Sequence, residues 1–245
     1  ACVVALDKNS GQEIWTSLDD EASYSAPILI NQAGKRVVVV WTGESVAGLD
    51  PNSGSVFWKI PFDIKMRMAI SAPVLYKNYI FVSGFFNGSL LIELDQNKLA
   101  ANEVWRRAGK NERNSDALHC CINTALIKDD FIYGIDSYGE LRCLDLKTGD
   151  RIWEDLTVVQ KNRWANVHFI ENGENTWMFN EQGELIISQL SSKGFKQISR
   201  AKLIEPTTEQ LSRKGQGVTW AHPGFANRHI FIRNDKEMLC ADLSL

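Results

Sequence analysis

The chain has 245 residues, 44% hydrophobic and 23% charged, with a formal net charge of -3. Both signs of charge are spread along it, which leaves no basic stripe for a phosphate backbone and makes nucleic acid and anionic membranes poor partners. Apolar runs such as 36–41 are strand-sized, so no segment spans a bilayer.

The chain opens on Val4-Ala5-Leu6-Asp7, with Gly11 and Trp15 following, which reads as the second half of a repeat. Residues upstream of Ala1 are therefore expected, and any export signal lies out of view. The next unit reads as four short strands, 25–30, 36–43, 45–49 and 55–60, with Asp50, Gly54 and Trp58 in the same order. A third unit places strands at 71–76, 79–85, 90–94 and 103–106 and keeps Asp95 and Trp105. A fourth uses 123–127, 131–135, 141–144 and 151–154 with Asp145, Gly149 and Trp153. In the fifth, 166–170, 176–180 and 185–188 keep the strand pattern, but Gln189 replaces the aspartate and Ile198 falls near the Trp slot. The sixth runs from His222 through 230–232 and 238–241 to Asp242, before a fourth strand.

The aspartates recur at steps of roughly 43 to 50 residues, the period of a four-stranded propeller blade rather than of a helical solenoid. The fold class is therefore all-β, a β-propeller of four-stranded antiparallel blades, four complete and two partial, with residues 1–245 in a single domain. The Asp-to-Gly segment reads as a tight turn whose carboxylate or hydroxyl accepts turn N–H groups while Gly supplies positive φ. The Trp four residues later is suited to filling the gap between blades and bonding across it.

This recurring signature resembles the repeat of the quinoprotein-like, or PQQ-like, β-propellers. That group includes eight-bladed pyrroloquinoline-quinone alcohol dehydrogenases and non-enzymatic outer-membrane assembly scaffolds. The C-terminal half, with Tyr138-Gly139-Glu140-Leu141, Asn180-Glu181-Gln182-Gly183 and Trp220-Ala221-His222-Pro223, is similar to exported PQQ-like repeat proteins of planctomycete-type bacteria. The resemblance implies a seven- or eight-bladed whole lacking its upstream blades here, and a periplasmic or envelope location.

Propeller ligands sit at the channel mouth, where the innermost strands begin. There the later blades carry His119, Cys120, Cys121, Asn123, Arg163, Trp164, Asn166, Trp220 and His222, a polar and aromatic set that repeat packing does not demand. The bland alternative is that the aromatics pack blades and the polar groups satisfy strand ends. Adjacent Cys120 and Cys121 match the cysteine pair that lies against the quinone in the alcohol dehydrogenases, but the calcium-binding residues of those enzymes have no counterpart here.

Two readings follow. The first is a non-catalytic scaffold binding a protein, peptide or glycan through mouth loops, with no cofactor and no catalytic residues. The second is a PQQ- and Ca2+-dependent dehydrogenase relative using Cys120-Cys121. A hydrolase or lyase would need His119, Arg163 and His222 to converge on one ligand. The four histidines show no metal spacing, and the five cysteines form no disulfide framework. Cys143 and Cys240 fill the packing slot that Ala5 fills. Asp129-Asp130 reads as a hairpin turn, and 110–116 and 205–216 as polar loops.

Overall fold

Short apolar runs separated by turn residues fold into successive antiparallel meanders. The computed structural model describes residues 1–210 and 215–244. A two-stranded sheet, Val3–Leu6 with Glu13–Ser17, forms the first blade. Four complete blades follow. The second contains Ile28–Gln32, Lys35–Trp41, Ser45–Leu49 and Val56–Pro61, and the third Val74–Tyr76, Tyr79–Gly84, Gly88–Leu94 and Ala101–Arg107. Leu126–Lys128, Phe131–Ile135, Leu141–Asp145 and Arg151–Asp155 make the fourth, and Val167–Asn172, Asn175–Asn180, Glu184–Ser191 and Gly194–Lys202 the fifth. The sixth has three strands, Gly224–Ala226, His229–Arg233 and Met238–Asp242. Among the described residues the only helical element is a 3-10 turn at Lys65–Arg67, and no helix is long and apolar enough to cross a membrane.

The core is a series of wedges between neighbouring blades. Alternation along each middle strand sends successive side chains to opposite faces. In the third blade Ile80 and Val82 pack toward the second, with Val39 and Val46, while Phe81 packs toward the fourth, with Ile132 and Leu144. In the fourth, Tyr133, Ile135 and Cys143 meet Val167, Met178 and Ile186 of the fifth. Both faces are covered, which is why these strands read as nearly continuous apolar runs. Cys143 is a packing residue, as its slot in the repeat implies, and burial pushes its thiol up to about 11. Cys240, its copy in the sixth blade, is exposed.

The repeat turns form as their chemistry dictates. Asp7 Oδ1 accepts the Asn9 and Ser10 N–H groups at 3.0 and 2.8 Å, and Asp145 Oδ1 those of Lys147 and Thr148, both at 2.9 Å. The indoles bridge the seams: Trp105 Nε1 donates to the Leu146 carbonyl at 2.9 Å, and Trp153 Nε1 to that of Ser191 at 2.8 Å.

Two local expectations change. The innermost strands begin later than the sequence suggests, at Ile28, Val74 and Leu126. Pro27 and Pro73 have no N–H for a ladder, and in the fourth blade the Asn123 amide takes the place of a strand residue, bonding both Ile135 O (3.3 Å) and Ile135 N (3.4 Å). The fifth blade is complete, as the count of four complete blades requires, with Gly194–Lys202 pairing along the whole third strand despite lacking the Trp. The two polar loops carry small hairpins, Gly109–Asn111 with Asn114–Ser115 and Thr208–Glu209 with Gly217–Val218, although residues 211–214 lie outside the described residues.

Candidate functional site

An up-and-down blade has two different ends. The first strand starts at one end, and the turn between second and third strands and the link to the next blade return to that same end. The Asp turns lie at the opposite end. Loops without a repeat signature therefore gather at one end, beside the starts of the innermost strands, and the predicted site residues are distributed there in three groups.

The first group is closed to solvent. His119 is fully buried, and its Nδ1 and Nε2 face the carbonyl oxygens of Phe85 (2.9 Å) and Ala108. Its backbone N–H donates to Asp136 Oδ1 at 2.7 Å. Burial pushes the Asp136 carboxyl upward, held back by Arg142 at 3.0 Å and the Ser115 hydroxyl at 2.5 Å. Asn123 is the strand mimic already described. Cys120 and Cys121 are both buried thiols, and burial raises Cys120 to about 12. The Cys120 sulfur sits so near Gly134 that a Cβ there would come within 3.3 Å of it. Sealed among core side chains, Cys120 offers no face to a planar quinone. Among the described residues, no group of three or more His, Cys, Asp and Glu side chains is placed to hold a metal ion.

The second group is half-buried, over a fully buried Phe85. Arg163 lies with its guanidinium carbon 4.6 Å from the Trp164 ring centroid and 5.3 Å from that of Phe85, and its Nη2 meets Glu112 Oε1 at 3.4 Å. Trp164 adopts φ 65°, which places its backbone N–H on the Ser137 carbonyl at 2.9 Å. A bulky residue in that region of backbone space marks an over-determined position.

The third group spans the seam between the fifth and sixth blades. Asn166 N and Trp220 Nε1 both donate to Glu181 Oε2, at 3.1 and 2.8 Å. His222 is exposed and lies over His168, with ring centroids 4.0 Å apart. His168 is 7% exposed, and its Nε2 is 3.1 Å from Asn166 Nδ2 and 3.2 Å from the Trp220 carbonyl oxygen. Burial, with His222 beside it, lowers His168 to about 4. The predicted residues thus form no single pocket: His119 has no access to solvent, while Arg163 and His222 belong to different clusters. Sequence reasoning passed over Phe85, Asp136 and Glu181, each of which immediately follows a second strand, a position the alignment of first-strand starts does not sample.

Apolar wedges between meander sheets, indole bridges across their seams and irregular loops at one end define a β-propeller of PQQ-like repeats. The family model for outer membrane protein assembly factor BamB matches residues 1–155, and the chain belongs to that family. BamB of Francisella salina is 24% identical over 155 residues, 60% of this chain and 26% of that protein, so the chain spans about a quarter of that relative's length. Among solved structures, BamB from Moraxella catarrhalis aligns with TM-score 0.61 and 15% identity over 96% of this chain and 64% of its own. Quinohemoprotein alcohol dehydrogenase from Comamonas testosteroni aligns with TM-score 0.56 and 11% identity, over 94% and 48% of the two chains. At these identities the structural likenesses show a shared fold alone.

Proposed function

We propose that this chain is a non-catalytic binding propeller of the cell envelope that holds a protein partner at its loop-bearing end. The observation that carries this reading is the Arg163–Trp164–Phe85 stack. Half-buried Arg163 and Trp164 form a cation-aromatic surface over the buried Phe85 ring, on a backbone pinned by Ser137, and Arg and Trp are the residue types that dominate the energetics of protein interfaces. Kinship with outer membrane protein assembly factors supports export to the periplasmic side and a partner among proteins that assemble the outer membrane.

The test is co-isolation from envelope preparations with the full-length protein. Wild type is expected to retain a discrete partner protein, and Arg163→Ala or Trp164→Ala to lose it while the far-UV spectrum stays unchanged. Retention of glycan alone would replace the protein partner with a saccharide. Incubation with PQQ and Ca2+ is expected to give no spectral change and no dye reduction with alcohols or aldoses; turnover would overturn the reading.

A further inference from the structure

Comparison of the blades with one another isolates one acidic side chain. In the fifth blade the turn between second and third strands ends on Glu184, whose Oε2 accepts the Asn180 amide N–H at 2.7 Å. In the sixth, Glu237 Oε1 accepts the Asn234 amide N–H at 3.3 Å. The copy in the fourth blade is Glu140, but the position of Asn180 and Asn234 is there held by Asp136, a carboxylate that has no N–H to give. Asp136 is occupied instead by His119 N–H, Ser115 and Arg142. Glu140 is 7% exposed; its Oε1 meets Lys161 Nζ at 3.2 Å, and its buried Oε2 has no hydrogen-bond partner. A buried carboxylate oxygen without a donor is unfavourable unless something supplies one.

Glu140 lines a cleft of about 280 Å³ with Glu112, Arg113, Asp136, Tyr138 and Lys161. The cleft lies beside the Arg163–Trp164 stack, since Trp164 N–H and Asn162 N–H bond the carbonyls of Ser137 and Tyr138. We propose that it receives one ammonium or guanidinium group, presented by a lysine or arginine side chain of the protein partner, with Glu140 Oε2 as its acceptor. Three carboxylates outnumber the two cations, Arg113 and Lys161, on its walls, which disfavours an anion. The volume is below that of a small-molecule site and suits one long side chain. Tyr138 already carries a cation, with the Arg113 guanidinium 5.9 Å from its ring centroid and Arg113 Nε bonded to its hydroxyl at 3.1 Å. The inference deepens the binding-module reading and rests on it.

The full chain, labelled with 15N, is titrated with N-acetyl-arginine methylamide, N-acetyl-lysine methylamide and the neutral isostere N-acetyl-citrulline methylamide. Saturable shifts of the Gly139, Glu140 and Leu141 amides are expected from the two cations, with citrulline at least tenfold weaker. Glu140→Gln is expected to abolish them, and Glu174→Gln, at an exposed turn of the fifth blade, to leave them unchanged. Equal response to citrulline, or no saturable shift from either cation, would overturn the proposal. If Glu140→Gln fails to fold, the arginine-citrulline comparison in the wild type decides alone. Loss of this response while partner retention still depends on Trp164 would remove the cleft and keep the module.

Discussion

The indole of Trp15 lies so close over Gly54 that a Cβ there would come within 2.5 Å of the ring. Trp105 covers Gly149 in the same way, at 3.1 Å. Each Trp belongs to one blade and each Gly to the Asp turn of the next, so the two ends of the signature meet across a seam. Glycine meets two demands there, a φ of 71° and room for the ring.

Gly11 separates these demands, because its φ is 72° with nothing within 4 Å of a built Cβ. Gly11→Ala should cost about 1 kcal/mol, the conformational term alone. Gly54→Ala and Gly149→Ala should lose roughly 1–3 kcal/mol more through overpacking. Urea denaturation checks the ordering, and equal losses at all three positions would show that the indoles are not seated on these glycines.

The third turn has Leu99 where the others have Gly, and its seam is built differently. Trp58 turns onto Gly48 of its own blade and donates to Gln32 Oε1 at 2.9 Å. Gln32 then reaches across, its Nε2 donating to the carbonyls of Asp95, Lys98 and Ala100 at 3.2, 3.2 and 2.7 Å. Gln32→Glu should destabilise by about 2–4 kcal/mol, since a buried carboxylate would face three carbonyl oxygens. A thermal midpoint unchanged from wild type would contradict the bridge.

His168 should impose a pH dependence. Its folded value of about 4 lies below the ordinary 6.5, so the unfolded chain binds the proton more readily. Stability is complete above about 6.5 and falls as pH drops toward 4, by on the order of 3 kcal/mol. Denaturation of wild type and His168→Phe at several pH values checks this; the variant should lack that part of the slope, and parallel slopes would reject the assignment.

Cysteine reactivity should follow burial. Cys240 is exposed and should label first with a maleimide, whereas Cys120 and Cys143, buried and with raised thiol values, should label only on unfolding. Peptide mass spectrometry reads this directly. Rapid native labelling of Cys120 would reopen a cofactor-facing role for the pair.

The architecture was legible because Asp, Gly and Trp recur in register and each does a local job that spacing alone reveals. The fifth blade shows the limit: its fourth strand forms by pairing with Glu184–Ser191, with no signature to announce it. The site was less legible. His119 and Asn123 look like ligands in a linear alignment yet bond backbone carbonyls and amides, and only coordinates show which polar side chains are already engaged. Glu140 carried a faint signal, the replacement of Asn180 and Asn234 by Asp136, visible once the second-strand ends are superposed.

The most direct test of the binding-face account is site-specific photo-crosslinking in intact envelopes. Trp164→benzoylphenylalanine places the probe on the proposed face, and Ile152→benzoylphenylalanine places it on the exposed outer strand of the fourth blade. A discrete protein adduct from position 164 and none from position 152 is the predicted result. The same adducts from both positions, or none from position 164, would contradict it.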